Sequence, residues 1–343
     1  MLFVIKGLIY EIIYCHSGAG LSGLTIANVI GDYAEVTVFE KARGVGGRMS
    51  TRYADEFNFD NGAQFFTARR TNFKQFLAPH FSSGLVQEWK GKVVTFEKGK
   101  KMTDRIWFEP HYVATPGMNS LCKKLGENIK INLHCEIAPL SEKSKQGWEL
   151  FDKNGSGLGY YDWVISTAPP VQTIHLFDKF LPRDSILSQS KFLACYSLMF
   201  GFHKKWGHSW MAANILNSPV EWIAVNSTKP RRNHNLTTLV VHSSNRWAET
   251  HVDDDFEKTE CFLRDELQEI LKFDISDPDY FSLHRWRYAL LDKLNDDKTK
   301  NESYYDKVLQ LASVGDWCSR SRIEDAWLNA HELALRIVRN LTK

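Results

Sequence analysis

Gly18-Ala-Gly-Leu-Ser-Gly23, Glu35-Val-Thr-Val-Phe-Glu40 and Lys41-Ala-Arg-Gly-Val-Gly-Gly-Arg-Met49 decide how this 343-residue chain is read. A G-x-G-x-x-G alone is a weak signal. Here the apolar run Tyr10-Glu-Ile-Ile-Tyr-Cys15 precedes it, and Leu21, Leu24, Ala27 and Ile30 follow at helical spacing. Glu40 falls 22 residues beyond Gly18, near the roughly 20 of a dinucleotide-binding βαβ unit. Gly18 permits the tight turn, Gly20 lets backbone approach a pyrophosphate, and Gly23 lets the helix pack closely on the sheet. The helix N-terminus offers N–H groups and a positive dipole end to phosphates. Glu40 suits the two hydroxyls of an adenosine ribose and would repel a 2′-phosphate. The alternative, a glycine turn in an ordinary α/β protein, leaves the register of strand, glycines, helix and acid unexplained. His16-Ser17, where an apolar residue usually ends the strand, and the stretch Met1–Leu8 depart from the pattern.

The length accommodates two domains or one large one. A hydrophobic share of 43% supports a real core, and a net charge of +2 gives no general attraction to nucleic acid. The basic groups Lys98–Lys101 and Lys229-Pro-Arg-Arg232 read as solvated loops. Cys15, Cys122, Cys135, Cys195, Cys261 and Cys318 form no C-x-x-C, so neither zinc nor a redox pair is expected, only free thiols. Met1–Cys15 carries Lys6 and Glu11, lacks a small-residue cleavage site and is too short to span a bilayer. The expectation is a soluble, cytoplasmic protein with no membrane or nucleic-acid partner and no metal.

Further along, Asn72–Phe81 reads as a helix and Pro116–Leu121 opens another. Val93–Phe96 and Arg105–Phe108 read as a hairpin. Ile129–Leu133, Ile137–Leu140, Trp148–Phe151 and Trp163–Ser166 read as short strands. Leu193–Phe202, Val220–Asn226, Thr237–Ser243 and Phe281–Leu290 read as long, aromatic-rich strands. Asp253-Asp-Asp255 is suited to capping the helix that follows, with metal ligation as the alternative. Ile323, Ala326, Trp327, Ala330, Ala334, Ile337, Val338 and Leu341 share one face of a last long helix. The fold class expected is α/β: a discontinuous Rossmann-like nucleotide-binding domain (1–70, 112–170 and 300–343) with a second, β-rich domain (71–111 and 171–299).

Taken together, the motifs resemble the flavin-dependent amine oxidase superfamily, and within it the renalase-like bacterial branch. They are Gly18–Gly23, Glu40 with Gly44–Met49, Asp60-Asn-Gly-Ala-Gln-Phe-Phe66, Pro116-Gly-Met118, Ser166–Pro170, His284-Arg-Trp-Arg-Tyr-Ala289, and Gly315-Asp-Trp317 with Ile323–Trp327. The resemblance implies an amine oxidase/p-hydroxybenzoate hydroxylase-like fold and noncovalent FAD, Cys318 being a free thiol. It implies that Gly18, Ala19, Gly20, Ser22 and Gly23 hold the pyrophosphate, that Glu40 holds the ribose with Lys41 beside it, and that Gly47 and Arg48 approach the ribityl and phosphate region. Ile137 would contact adenine through its backbone. Ala63, Gln64 and Phe65 would lie beside the isoalloxazine. Gly315 and Asp316 would meet the ribityl chain. The helix carrying Asp325, Ala326 and Trp327 would aim its N–H groups at the flavin N1/C2=O edge.

Two enzymatic readings follow from the resemblance. A renalase-like enzyme oxidises 2- or 6-dihydroNAD(P) isomers to NAD(P)+, passing a hydride to flavin N5 and the electrons to O2. An amine oxidase removes a hydride from carbon beside nitrogen. A flavoprotein sensor or scaffold is a third reading. By the resemblance Arg322 stands where many amine oxidases carry an aromatic cage residue, where it would disfavour a cationic amine; the alternative is a surface or phosphate-facing charge. No base pair, nucleophile–His arrangement or metal motif is visible, and oxidation of a dihydropyridine needs none. Strand alternation places Trp222 and Asn226 on one face, and His284, Trp286 and Tyr288 on one face of their strand. The substrate-contact candidates are Gln64, Trp222, Asn226, His242, Trp286 and Tyr288, with Arg285 and Arg287 structural on the opposite face.

Overall fold

The computed structural model describes residues 11–15, 18–271, 273–292 and 302–341. Met1–Leu8, Tyr10 and His16-Ser17 lie outside the described residues. The chain divides into two compact units. One comprises the described residues up to Gly47, Cys122–Ser190 and those from Asp297 onward; the other comprises Arg48–Leu121 and the described part of Lys191–Asp296. The division falls after Gly47, so Asp60–Phe66 packs with the β-rich unit. The fold is mixed α/β.

In the first unit, five parallel strands run in the spatial order Lys130–Asn132, Glu35–Phe39, Glu11–Cys15, Trp163–Ser166, Leu311–Ser313. Numbered along the chain this is 3-2-1-4-5, the order of a dinucleotide-binding sheet. Tyr304–Asp306 adds an antiparallel edge. Trp163–Ser166 is buried along its length, as a central parallel strand covered on both faces must be. Helix Leu21–Ile30 packs against helix Ile323–Leu341, and the Ser22 hydroxyl donates to the Ala326 carbonyl (2.9 Å). The expected strand at Ile137–Leu140 does not form. Ile137 makes a single bridge to Asp152, because Pro139 has no N–H to continue a ladder.

The second unit is built on a seven-stranded sheet in the order Tyr280–Leu291, Phe192–Phe202, Thr237–Ser243, Val220–Val225, Trp210–Leu216, Lys92–Glu97, Thr103–Arg105. Its neighbours are antiparallel except Trp210–Leu216 with Lys92–Glu97. Trp210–Leu216 is a strand that periodicity did not reveal. One face of the sheet buries Tyr196, Leu198, Phe200, Ile223 and Val241 with Leu263 and Leu267 of helix Phe256–Ile270. Asp255 caps that helix by accepting from Lys258 N (3.0 Å), and Asp253 pairs with Arg287. The capping reading thus holds for Asp255 alone, and among the described residues no group of three His, Cys, Asp or Glu is placed to hold a metal. The other face carries Met199 and Val240 against Phe57 and Phe59. No helix among the described residues is long and apolar enough to cross a membrane.

Candidate flavin and substrate site

In the first unit the glycine turn is locked by its own backbone. A Cβ on Gly23 would lie 1.6 Å from the Gly18 carbonyl oxygen and 3.1 Å from Thr167 Oγ1, so only glycine fits. Glu40 is buried and accepts from Ala19 N (3.1 Å) and Ala42 N (2.8 Å). Burial raises its pKa, while those two N–H groups and the Lys41 charge oppose the rise. A carboxylate accepts about four hydrogen bonds, so capacity remains for ribose hydroxyls. Gly46 N donates to Ala19 O (2.8 Å), tying the segment after Glu40 back to the turn. Gly47 has φ +53°, a conformation that favours glycine.

The remaining predicted groups of this unit also have defined surroundings. Ile137 is buried with Phe39 and Trp148. Asp316 is buried and accepts from the Ser321 hydroxyl (2.5 Å). Asn329 Nδ2 donates to Gly315 O (3.0 Å). Asp325 accepts from Arg320 N (3.2 Å), and Trp327 stacks on His331. Cys318 is a buried free thiol, its pKa pushed up to about 12 by burial. Thr167 Oγ1 and Trp317 Nε1 are buried without a partner. Thr167 Oγ1 lies beside the glycine turn and Trp317 Nε1 beside Gly315; orphaned polar atoms next to these glycines are what a bound dinucleotide would satisfy, so these residues fit FAD.

In the second unit, the 60–65 loop is held by a buried charge cluster. Asp60 Oδ2 accepts from Lys229 Nζ (3.0 Å) and Arg232 Nη2 (2.8 Å). Its Oδ1 accepts from Thr51 Oγ1 and Met118 N, both 2.8 Å. Lys229 and Asp60 are 0% exposed. This corrects the reading of Lys229–Arg232 as a solvated loop: the partner lies 169 residues away in sequence. Burial alone would raise the Asp60 pKa, but the two cations overcome it and hold the carboxyl well below the usual range. Burial lowers Lys229 to about 8, against the pull of Asp60. Lys229 also donates to Gln64 Oε1 (3.2 Å), while Gln64 Nε2 donates to the Asp60 and Gly62 carbonyls. A Cβ on Gly62 would meet Arg48 O at 2.1 Å, and Ala63 N donates to that same oxygen (2.8 Å). Arg48 donates to Ala289 O (3.2 Å).

Gln64, His242 and Trp286 come together on this loop. Trp286 Nε1 donates to Asn61 O (2.9 Å), and His242 Nε2 lies 3.3 Å from the same oxygen and 3.4 Å from Gln64 Nε2. His242 and His284 are lowered to about 4, chiefly by burial, with Lys229 adding to the effect on His242 and Arg52 to that on His284. Trp222 joins Phe65, Trp107 and His111 in an aromatic group. Asn226 does not join the substrate candidates. It is fully buried, starts a short 3-10 turn rather than continuing the strand, and spends its amide on Asn58 O and Asp60 N. Tyr288 packs edge-on against Phe192. Arg285 donates to Val252 O on the opposite face, as expected.

The chain matches two family models. One, described as an NAD(P)-binding Rossmann-like domain, covers residues 18–79; the other, flavin containing amine oxidoreductase, covers residues 76–338. The chain belongs to the flavin containing amine oxidoreductase family. It is an FAD-dependent oxidoreductase, and the sensor or scaffold alternative gives way to that. A protein from Exiguobacterium sp. 255-15, provisionally assigned as a protoporphyrinogen oxidase, shares the fold with a TM-score of 0.76 at 12% identity, over 98% of this chain and all of that one. Cyclohexylamine oxidase from Brevibacterium oxydans IH-35A does so with a TM-score of 0.72 at 15% identity, over 98% and 100%. Coproporphyrinogen III oxidase of Mycobacterium tuberculosis is 39% identical over 69 residues, which are 19% of this chain and only 15% of that protein's length.

Proposed function

We propose that this oxidoreductase is an oxidase of reduced pyridine nucleotide isomers, taking 2- or 6-dihydroNAD(P) to NAD(P)+. The observation that carries the reading is the sign of the buried charge next to Gln64. Asp60 contributes one negative charge and Lys229 and Arg232 two positive ones, so the cluster is cationic. A cationic cluster in a low-dielectric interior repels an ammonium substrate and favours a neutral hydride donor attached to an anionic nucleotide. The histidines on the sheet face are neutral at pH 7. They orient and donate hydrogen bonds rather than take protons, which suits an oxidation that releases no N–H proton.

In this reading Glu40 and the glycine turn hold the dinucleotide cofactor, and Lys229 fixes the amide of Gln64. Trp286 and His242 hold the Asn61 carbonyl, so the loop keeps its shape while substrate changes. FAD held there would supply the two-electron acceptor for a hydride from C2 or C6 of the dihydropyridine, leaving a pyridinium, and O2 would then take two electrons and two protons as H2O2. A second reading, oxidation of a small amine, draws support from the aromatic group around Phe65 and Trp222, since aromatic faces attract cations. Anaerobic stopped-flow absorbance separates the two. Bleaching of the flavin band near 450 nm by dihydropyridines, and not by primary amines or polyamines, supports the proposal. Bleaching by amines alone overturns it.

A further inference from the structure

Near the end of the last helix, the first unit carries an open cleft of about 440 Å³ lined by Tyr305, Lys307, Arg336, Arg339 and Asn340. Arg336, Arg339 and Asn340 stand three and four residues apart on helix Ile323–Leu341, so they share one stripe of it. Tyr305 belongs to the edge strand Tyr304–Asp306, and Lys307 directly follows that strand. Arg336 lies about 20 Å along the helix from Ile323. The cleft is therefore remote from the helix end expected at the flavin.

The lining offers donors and no acidic side chain. Lys307, Arg336 and Arg339 contribute its charge, and among the described residues none of the three forms an ion pair. The Arg336 guanidinium lies 4.0 Å from the centre of the Tyr305 ring. Trp163 stacks on that ring with centroids 5.3 Å apart, and Asn340 Nδ2 donates to its hydroxyl (2.8 Å). Arg336 is thus held over a ring that is itself fixed, with its N–H groups left for a ligand. Asp306, beside Lys307, spends Oδ1 on Val308 N (2.9 Å) and Leu309 N (2.8 Å). Glu302 and Glu332 line a neighbouring cavity that shares Arg336. A cation in the last turn complements the helix dipole, which accounts for Arg339. It does not account for Lys307, which comes from another element, or for an arginine anchored on a tyrosine. Like charges around one cleft repel, and a bound anion removes that repulsion.

We propose that this cleft is a binding site for a phosphate or diphosphate group. Arg336 and Arg339 grip its oxygens through their planar N–H pairs, and Lys307 adds a point charge. The site lies outside the flavin and substrate machinery and does not depend on the dihydropyridine reading. Two sources share this chemistry: a free inorganic anion and the diphosphate of a nucleotide. With Trp163 and Arg336 both on the Tyr305 ring, no face of it is left to stack a nucleobase, so the free anion is the expected source.

The test uses the FAD-loaded protein with inorganic pyrophosphate and ADP as probes, titrated by calorimetry at a fixed ionic strength of about 0.15 M. The expected result is saturable binding of pyrophosphate at one site. Lys307→Gln and Arg339→Gln should each weaken it about tenfold, with the melting temperature and flavin spectrum of the parent. Arg336→Lys keeps the charge but loses the planar fork, and should weaken binding as well. Lys130→Gln, on the strand at the opposite edge of the same sheet, should leave the affinity unchanged. Binding that does not saturate overturns the proposal, as do unchanged affinities in the three cleft variants. An equal loss in Lys130→Gln marks diffuse attraction and overturns it too. ADP binding no tighter than pyrophosphate supports the free anion. ADP binding tenfold tighter, and weakened by the same variants, overturns that source in favour of a nucleotide. Turnover plays no part in the readout, so failure here leaves the proposed reaction untouched.

Discussion

Asp60→Asn should be the most damaging single substitution in the β-rich unit. The side chains are nearly isosteric, so no cavity opens. The amide Nδ2 would either face Lys229 Nζ and Arg232 Nη2, which now lie 3.0 and 2.8 Å from a carboxylate oxygen, or displace the acceptor of Thr51 and Met118. Two cations would remain buried with no counter-charge. Removing one partner of a buried ion pair costs about 3–5 kcal/mol. Lys229→Met should cost less. It leaves Asp60 with Arg232, Thr51 and Met118 N and orphans mainly Gln64 Oε1, worth about 1–3 kcal/mol. For a unit of 150–250 residues, each kcal/mol moves the melting temperature by about 2–4 °C. Asp60→Asn should therefore melt about 6–20 °C below the parent. Thermal unfolding followed by tryptophan fluorescence at pH 7, with FAD in excess, measures both variants. The reasoning fails if Asp60→Asn melts within about 2 °C of the parent, or above Lys229→Met.

Three further outcomes follow from the geometry. His242 and His284 titrate near 4 when folded and near 6.5 when unfolded, so the unfolded chain binds more protons between those values. Stability is full above pH 6.5 and falls toward pH 4, by roughly 3 kcal/mol per histidine at 1.36 kcal/mol per pKa unit. Urea midpoints at pH 7 and 4.5 should converge in His242→Gln/His284→Gln, and parallel losses in parent and variant would refute this. Gly23→Ala places a methyl 1.6 Å from the Gly18 carbonyl oxygen; the purified protein should lack the flavin band near 450 nm, and a normal FAD content would contradict the cradle. Asp255→Ala removes the cap of helix Phe256–Ile270 and should lower stability by about 1 kcal/mol, read as a small shift in the melting curve with an unaltered flavin spectrum.

What was legible in the sequence is what local chemistry specifies. The glycine turn, Glu40 and the helix at Leu21–Ile30 depend on neighbours within one βαβ unit. Thr237–Ser243 and the cap at Asp255 likewise depend on patterns a few residues long. Trp210–Leu216 was missed because Ala212 and Ala213 dilute its strand character; its neighbours in the sheet supply what propensity does not. Lys229 and Arg232 looked solvated because charge runs usually are. Nothing near them in sequence announces Asp60. The one usable signal was that Asp60 opens a motif otherwise made of small and aromatic residues, where a buried carboxylate requires a counter-charge from somewhere. The cationic cleft was invisible for a related reason. Its members come from the end of an edge strand and the far end of the last helix, and meet only in the folded unit.

The pairing of helix Leu21–Ile30 with helix Ile323–Leu341 has a consequence for how the protein is made. Ser22 and Ala326 are 304 residues apart. At about 5–20 residues per second of synthesis, the glycine turn leaves the ribosome roughly 15–60 s before its partner helix exists. During that interval the apolar flank of the first helix is uncovered, and the nucleotide cradle lacks the element that steadies it. With the cofactor held as proposed, a chain halted anywhere before Ile323 should emerge colourless and be a client for chaperones.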